Sequence, residues 1–138
     1  MATTPAVWRR MFEDIPDPHF GLAFDPSHFV LLDIDPKPAL REFAGRIHHT
    51  HAKDVRIDRH RLNDVGRFAN PNEYHSPRLP GLGGVDWPGL ITTLHDVGYA
   101  GAMAVEVEDR AYEASAETCR AALVQSHAYL RQYVPPRS

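Results

Sequence analysis

The segment from Arg46 to Asp54, RIHHTHAKD, contains three histidines within four residues, followed by a lysine and an aspartate. The chain has nine histidines in 138 residues, where average usage would give about three, and imidazole groups serve proteins mainly as metal ligands and proton carriers. Histidine-rich segments are also typical of solvated, hydrogen-bonded strand edges. A metal or proton-transfer site is therefore one of two interpretations, and the acidic residues elsewhere in the chain must decide between them.

Two further segments place carboxylates after apolar runs. FDPSH follows the run that begins at Phe20, and VEVED follows the run that begins at Ala102. Side chains alternate between the two faces of a strand, so Gly21, Ala23 and Asp25 share one face of the first run. Ligand chemistry in parallel α/β proteins lies at the carboxyl ends of the strands. The three strand ends offer Asp25, His51 and Glu106, and just behind them stand His28, Lys53 and Glu108.

Two carboxylates and one imidazole form a mixed oxygen and nitrogen donor set. Such a set suits Mn²⁺, Mg²⁺, Co²⁺ or Zn²⁺ better than a soft, thiolate-bound metal. Each feature alone has an ordinary interpretation, since an aspartate before proline is usually a turn residue. Their coincidence at three equivalent strand ends favours a metal or substrate site.

The elements that must position these residues alternate along the chain. Apolar spacing and terminal signals predict helices and strands in turn, which is the pattern of a parallel α/β fold. A long polar connection is expected within it, at residues 55–85. The predicted helices are 3–18, 33–45, 86–98 and 115–134, and the predicted strands are 19–28, 46–54 and 99–109.

Composition excludes several classes of protein. A chain of 138 residues forms a single domain at most, and its net charge of −3 provides no basic surface for nucleic acid or for an anionic membrane. We expect a cytoplasmic protein, because neither a secretory signal nor a membrane-spanning run is visible and the single Cys119 cannot form an internal disulfide. In the last helix, the stripe Cys119, Leu123, His127 and Leu130 is expected to be the core face.

The ordered motifs FDPSH, HTHAKD, LPGLGGVDW and VEVED resemble the xylose-isomerase-like superfamily of TIM barrels. This superfamily contains sugar phosphate isomerases and epimerases, with inosose dehydratase-like members among them. The resemblance runs from about Ala6 to Tyr133. It implies one divalent metal, most often Mn²⁺, held by Glu, Asp, His and Glu side chains from the last four barrel strands.

Carried over position by position, the resemblance assigns roles to six residues. The implied metal ligands are Asp25, His51 and Glu106, with Glu106 also the catalytic acid or base, and the implied substrate contacts are His28, Lys53 and Arg56. The implied reaction is proton transfer next to a carbonyl, through an enediolate, on a sugar or polyol. His49 is expected beneath His51, inside the barrel.

The chain departs from the family in its length. A complete barrel of eight βα units takes about 250 residues, whereas three strands are predicted here. Residues 1–138 therefore resemble the C-terminal portion of the barrel, about three βα units and a leading helix, and the family's first Glu ligand has no counterpart. We expect a homo-oligomer, a partner chain or additional N-terminal strands to complete the barrel. The alternative is a non-catalytic half-barrel, either a binding or interaction module or a decayed fragment.

Overall fold

A computed structural model describes residues 3–134. Within that range the chain forms six α-helices and five β-strands, with two short 3₁₀ turns at 44–46 and 71–73. The helices are α1 (Pro5–Asp14), α2 (Pro26–Leu32), α3 (Pro36–Glu42), α4 (Arg59–Val65), α5 (Trp87–Asp96) and α6 (Ala116–Arg131). The strands are β1 (Leu22–Phe24), β2 (Ile47–Ala52), β3 (Asp54–Ile57), β4 (His75–Arg78) and β5 (Met103–Val105). No helix in the described range is long and apolar enough to cross a membrane.

The main sheet has three parallel strands in the order β1-β2-β5. The predicted parallel α/β fold is therefore confirmed, as are the three predicted strands and the predicted helices corresponding to α1, α3, α5 and α6. The central strand, β2, pairs with β1 on one side and with β5 on the other. Among residues 3–134, neither β1 nor β5 has a second strand partner, so both are edge strands.

Residues 55–85 were predicted to be a polar connection, and that prediction is wrong. The segment contains β3, α4 and β4, and β3 and β4 pair as an antiparallel two-stranded sheet. This two-stranded sheet has little apolar alternation: Pro77 lies in β4, and Arg56 faces solvent on β3. Val55 is the only fully buried apolar side chain of the two strands, which is why hydrophobic periodicity did not predict them.

Helix α2 was also not predicted, because residues 19–28 were assigned to one strand. Asp25 directly follows β1 and caps α2, its side chain accepting a hydrogen bond from the backbone N–H of Ser27, and Pro26 occupies the first helical position. Both are standard features of a helix N-terminus. The Asp-Pro pair thus starts a helix immediately where the strand stops.

The hydrophobic core lies on the helix-covered side of the main sheet. Trp8 of α1 packs edge-on against Phe24, Phe29 and Phe43, with ring centroids 5.4–6.1 Å apart, and the rings of Phe24 and Phe29 stack at 5.1 Å. This aromatic cluster joins α1, α2 and the end of α3 to β1. Contacts between α3 and α5 extend the core along the sheet, through buried side chains that include Leu40, Leu90, Ile91 and Leu94.

The core face of α6 differs from the predicted stripe. Ala122, Ser126 and Leu130 are buried, whereas Leu123 is 46% exposed and His127 faces solvent. Leu130 belongs to both sets, but the buried face is rotated away from Leu123 and His127. Two of its three buried residues, Ala122 and Ser126, are small, and a stripe chosen for large apolar side chains does not include them.

One buried carboxylate fixes the segment that leads into α5. Asp54 is fully buried, and its Oδ1 accepts hydrogen bonds from the backbone N–H groups of Val55 (2.8 Å) and Val85 (3.0 Å). Its Oδ2 accepts from the backbone N–H of Gly81 (3.0 Å) and from the indole Nε1–H of Trp87 (2.9 Å). Four N–H donors therefore compensate for the desolvation of the charge, as a buried carboxylate requires.

We predict that Asp54→Asn lowers the free energy of unfolding by about 3 kcal/mol. The amide NH₂ would face N–H donors and leave them unpaired, and each hydrogen bond to a charged group contributes about 1.5–3 kcal/mol. Urea unfolding measures the effect. The matched control is Asp96→Asn at the exposed end of α5, which should change stability by less than about 0.5 kcal/mol. Equal effects of the two substitutions would contradict the structural role of Asp54.

Candidate metal centre

The three strands of the main sheet end beside one another and bring their terminal side chains together. Asp25 directly follows β1, His51 lies near the end of β2, and Glu106 directly follows β5. The register pairs His51 with Ala104 and Ala52 with Val105, and the backbone N–H of Glu106 donates to the carbonyl oxygen of Ala52 at 3.3 Å. Parallel pairing thus continues one residue past β5 and places Glu106 beside the end of β2.

Asp25 is oriented by the first turn of α2. Its Oδ1 accepts hydrogen bonds from the backbone N–H of Ser27 (2.9 Å) and from the Ser27 hydroxyl (2.7 Å). Both residues are buried. Because Ser27 engages Oδ1, Oδ2 is the oxygen that Asp25 presents to the centre.

His51 and Glu106 are in direct contact and half-buried. His51 Nδ1 lies 2.6 Å from Glu106 Oε1. The ring of His49 stands nearly perpendicular to that of His51, with centroids 5.2 Å apart. His49 is therefore a neighbour of the centre on the same face of β2, in the position expected of it.

Lys53 connects the carboxylates. Its Nζ lies 3.2 Å from Asp25 Oδ2, 3.0 Å from Glu106 Oε2 and 3.2 Å from Glu108 Oε2. Burial by itself lowers the pKa of Lys53, but the hydrogen bonds and charges of Glu106, Asp25 and Glu108 more than offset it and raise the pKa above its usual value. Lys53 is therefore a firmly charged ammonium.

The proposed substrate residues lie at different distances from this cluster. His28 Nε2 is 3.6 Å from Asp25 Oδ2, and His28 lines, together with Lys53 and Glu108, a cavity of about 160 Å³. Arg56 is exposed on β3, and no ion pair joins it to the cluster among the described side chains. It lines a different cavity of about 480 Å³, which Glu108 also borders.

His48 lies on the face of β2 opposite to that of His49 and His51. The pairing with β1 skips it, since Leu22 pairs with Ile47 and Ala23 with His49, so His48 is the extra residue of a bulge. Its ring lies against Gly21, where an added Cβ would be 2.5 Å from the imidazole. Position 21 therefore requires glycine, and His48 has a packing role.

Thr50 lies on the same face of β2 as His48 and is a second polar residue on that face. Thr50 is buried, and its hydroxyl donates to the carbonyl oxygen of Ala102 at 3.1 Å. The hydroxyl thus closes a hydrogen bond to the segment that leads into β5 and satisfies its own polarity.

The sequence also did not predict the ion pair between Arg78 and Asp109. Asp109 is buried, and Arg78 of β4 donates to both of its carboxylate oxygens at 3.2 and 3.4 Å. Asp109 also accepts from the backbone N–H of Ala111. This ion pair links β4 to the segment after β5. Its only signal in the sequence was the final aspartate of VEVED, which carries no mark of its partner.

The ligand atoms of Asp25, His51 and Glu106 all lie within 4.8 Å of one another. Two carboxylate oxygens and an imidazole nitrogen at this separation fit a single divalent ion. The charges fit as well: with Asp25, Glu106 and Glu108 ionised, three negative charges face one ammonium. The excess of two negative charges matches one divalent cation.

Comparisons with known proteins give consistent results. The sequence profile of the family described as xylose isomerase-like TIM barrel matches residues 1–133. Protein YfiH of Bacillus subtilis is 36% identical over 101 residues, which are 67% of this chain and 32% of YfiH. Rhizopine catabolism protein MocC of Rhizobium meliloti is 37% identical over 90 residues, 64% of this chain and 28% of MocC. Inosose dehydratase of Salmonella typhimurium is 32% identical over 109 residues, 77% of this chain and 36% of that enzyme.

Solved structures share the fold. A xylose isomerase domain protein from Planctomyces limnophilus superposes with a TM-score of 0.68 at 23% identity, over 97% of this chain and 45% of its own. The IOLI protein, in a structure with a bound zinc atom, gives a TM-score of 0.70 at 18% identity. The superposition covers 95% of this chain and 45% of the IOLI chain. The chain thus spans about a third of the length of the curated relatives and less than half that of the solved structures.

Proposed function

Since the chain belongs to the xylose isomerase-like TIM barrel family, we propose that it provides the metal centre of a sugar or polyol isomerase or epimerase. The convergence of Asp25, His51 and Glu106 at three neighbouring strand ends carries the proposal. These residues would hold one divalent ion, and Mn²⁺ is the proposed one, with Mg²⁺, Co²⁺ or Zn²⁺ as the other candidates. Relatives that include inosose dehydratases, and a structural neighbour described as a 3-keto-D-glucoside 4-epimerase, support a small carbohydrate substrate.

The proposed chemistry is proton transfer next to a carbonyl group. A bound divalent ion would supply Lewis-acid stabilisation of the negative charge that develops on the substrate oxygen. Glu106 is the proposed acid or base, since its carboxylate lies at the centre and contacts both His51 and Lys53. His28 and Lys53 would bind substrate hydroxyl groups from the shared cavity. Arg56, which is exposed on β3, would contact the distal part of the substrate.

The described strands do not close a barrel. Eight strands form the closed fold of the family, whereas the main sheet of residues 3–134 has three and exposes two edges. Unpaired backbone N–H and C=O groups at such edges favour association with further strands. We therefore propose that activity requires strands from other copies of this chain, from a partner chain or from additional N-terminal sequence.

The proposed metal site predicts that His51→Ala and Glu106→Gln each weaken Mn²⁺ binding by roughly 100-fold. Loss of a residue that only orients a metal ligand lowers metal affinity by about 10- to 100-fold, and loss of a ligand itself should lower it by at least the upper value. Isothermal titration of the purified chain measures the affinity. The matched controls are His127→Ala and Glu13→Gln, both on exposed positions away from the strand ends, and both should bind as the unaltered chain does. Unchanged affinity in the two ligand variants would overturn the site.

Self-assembly predicts that the chain forms a defined multiple of its 15.5 kDa mass. The physical reason is the pairing of its open strand edges, which buries backbone groups that otherwise face water. Multi-angle light scattering with and without Mn²⁺ measures the mass. A 15.5 kDa monomer under both conditions would contradict self-assembly, and the completing strands would then have to come from a different polypeptide.

The proposed reaction predicts exchange of a carbon-bound hydrogen with solvent. In D₂O, the assembled protein with Mn²⁺ should introduce deuterium next to the carbonyl of a keto sugar or an inosose, detected by NMR. Glu106→Gln should slow the exchange by about 10² to 10⁴-fold, the usual contribution of a general acid or base. Glu13→Gln, at an exposed position on α1, is the control. An assembled, Mn²⁺-binding protein that exchanges no hydrogen would instead be the non-catalytic binding module.

A further inference from the structure

The ammonium of Lys53 contacts the same carboxylates that belong to the candidate metal centre. It lies within 3.2 Å of Asp25 and of Glu106, and also within 3.2 Å of Glu108. The Lys53 side chain is only 14% exposed, whereas that of Glu108 is 52% exposed. One half-buried cation is therefore shared between two inner carboxylates and one outer carboxylate.

The individual carboxylate oxygens show where the Lys53 ammonium and a divalent ion would compete. Ser27 donates twice to Asp25 Oδ1, and Lys53 contacts Oδ2. On Glu106, His51 is next to Oε1 and Lys53 is next to Oε2. A divalent ion held by these two carboxylates would compete with the ammonium for the oxygens that face the centre.

We propose that Lys53 is a counter-cation of the metal-free centre. Its ammonium is displaced from Asp25 and Glu106 when the metal binds, and it remains paired with Glu108. In the metal-free protein, Lys53 holds the converging carboxylates together. When the metal binds, the ammonium retains its ion pair with Glu108 and is then free to point towards substrate. Glu108 is accordingly a positioning residue for Lys53 and not a metal ligand. This inference rests on the proposed metal centre.

Replacing Lys53 by methionine separates the two effects of the ammonium. Methionine preserves most of the length and apolar stem of lysine but cannot pair with carboxylates. Lys53→Met should bind Mn²⁺ about 10-fold more tightly, which corresponds to about 1.4 kcal/mol, because the competitor is gone. The same variant should have a lower Tm without metal, because like charges then converge unpaired. Lys53→Arg retains the charge and should bind Mn²⁺ nearly as the unaltered chain does.

Glu108→Gln tests whether Glu108 is the carboxylate that pairs with the Lys53 ammonium when the metal is bound. The substitution should weaken Mn²⁺ binding in the unaltered background, since the displaced ammonium loses its alternative ion pair. In the Lys53→Met background its effect should be much smaller, and it should nearly vanish at about 1 M KCl, where the remaining attraction of the Glu108 charge is screened. If Glu108 were instead a ligand or a source of long-range attraction, its loss would weaken binding equally in both backgrounds. Glu13→Gln, at an exposed position on α1, is the control for the change in net charge.

Isothermal titration with Mn²⁺ and thermal unfolding of the full chain give both readouts, at low salt and at about 1 M KCl. Contact competition should persist at high salt, where the Debye length is about 3 Å and distant charges are screened. Tighter binding by Lys53→Met at both salt concentrations, with a lower metal-free Tm, supports the inference. Unchanged or weaker binding by Lys53→Met overturns it, as does an undiminished effect of Glu108→Gln in that background.

The outcome for the metal centre is read independently. If Asp25→Asn and Glu106→Gln abolish Mn²⁺ binding while Lys53→Met leaves it unchanged, the centre stands and the counter-cation role falls. If neither the unaltered chain nor Lys53→Met binds Mn²⁺, the proposed centre fails, and the inference fails with it. Binding detectable only in Lys53→Met would be the strongest support, because the ammonium would then be the barrier.

Discussion

The burial of the Asp54 carboxylate is the constraint on which the arrangement of this chain depends. A fully buried charge needs several donors, and Asp54 finds four N–H groups in the segment from Val55 to Trp87. Those donors bring the loop that precedes α5 back to the end of β2. The loop must pass very close, since a Cβ at Gly83 would overlap Asp54 Oδ1. Trp87, buried at the first position of α5, transmits the constraint to the core.

The same constraint positions the candidate centre. Lys53 and Asp54 are adjacent, and their side chains leave the strand end in opposite directions, Asp54 towards the loop and Lys53 towards Asp25 and Glu106. Fixing Asp54 therefore also fixes the direction of Lys53. A cation held at that point allows carboxylates from β1 and β5 to approach one another, which like charges otherwise resist. The fold and the charge pattern of the centre thus have a common origin in the dipeptide that follows β2.

The sequence predicted the parts of the structure that depend on local signals. Caps at Asp35, Asp86 and Ser115 mark real helix starts, and the alternation in the three apolar runs correctly placed Asp25, His51 and Glu106 together at the strand ends. It did not predict what depends on contacts between distant residues. Thr50 bonds across to Ala102, and Asp109 pairs with Arg78, 31 residues away. No spacing rule reveals such partners, and the bulge at His48 arises only when β2 pairs with β1.

The two faces of the main sheet explain how three strands can carry a site that belongs to a larger barrel. The buried aromatic and aliphatic side chains lie on the helix-covered face, where Trp8, Phe24 and Phe29 pack together. The other face presents small and polar side chains such as Ala23 and His49, which remain exposed or half-buried. Hydrophobic burial therefore stabilises this unit from one side only, since apolar area removed from water is the dominant favourable term in folding. Further strands would add backbone hydrogen bonds at the edges of β1 and β5, and charged or polar groups facing the centre. Association would then depend on edge pairing and electrostatics more than on apolar surface.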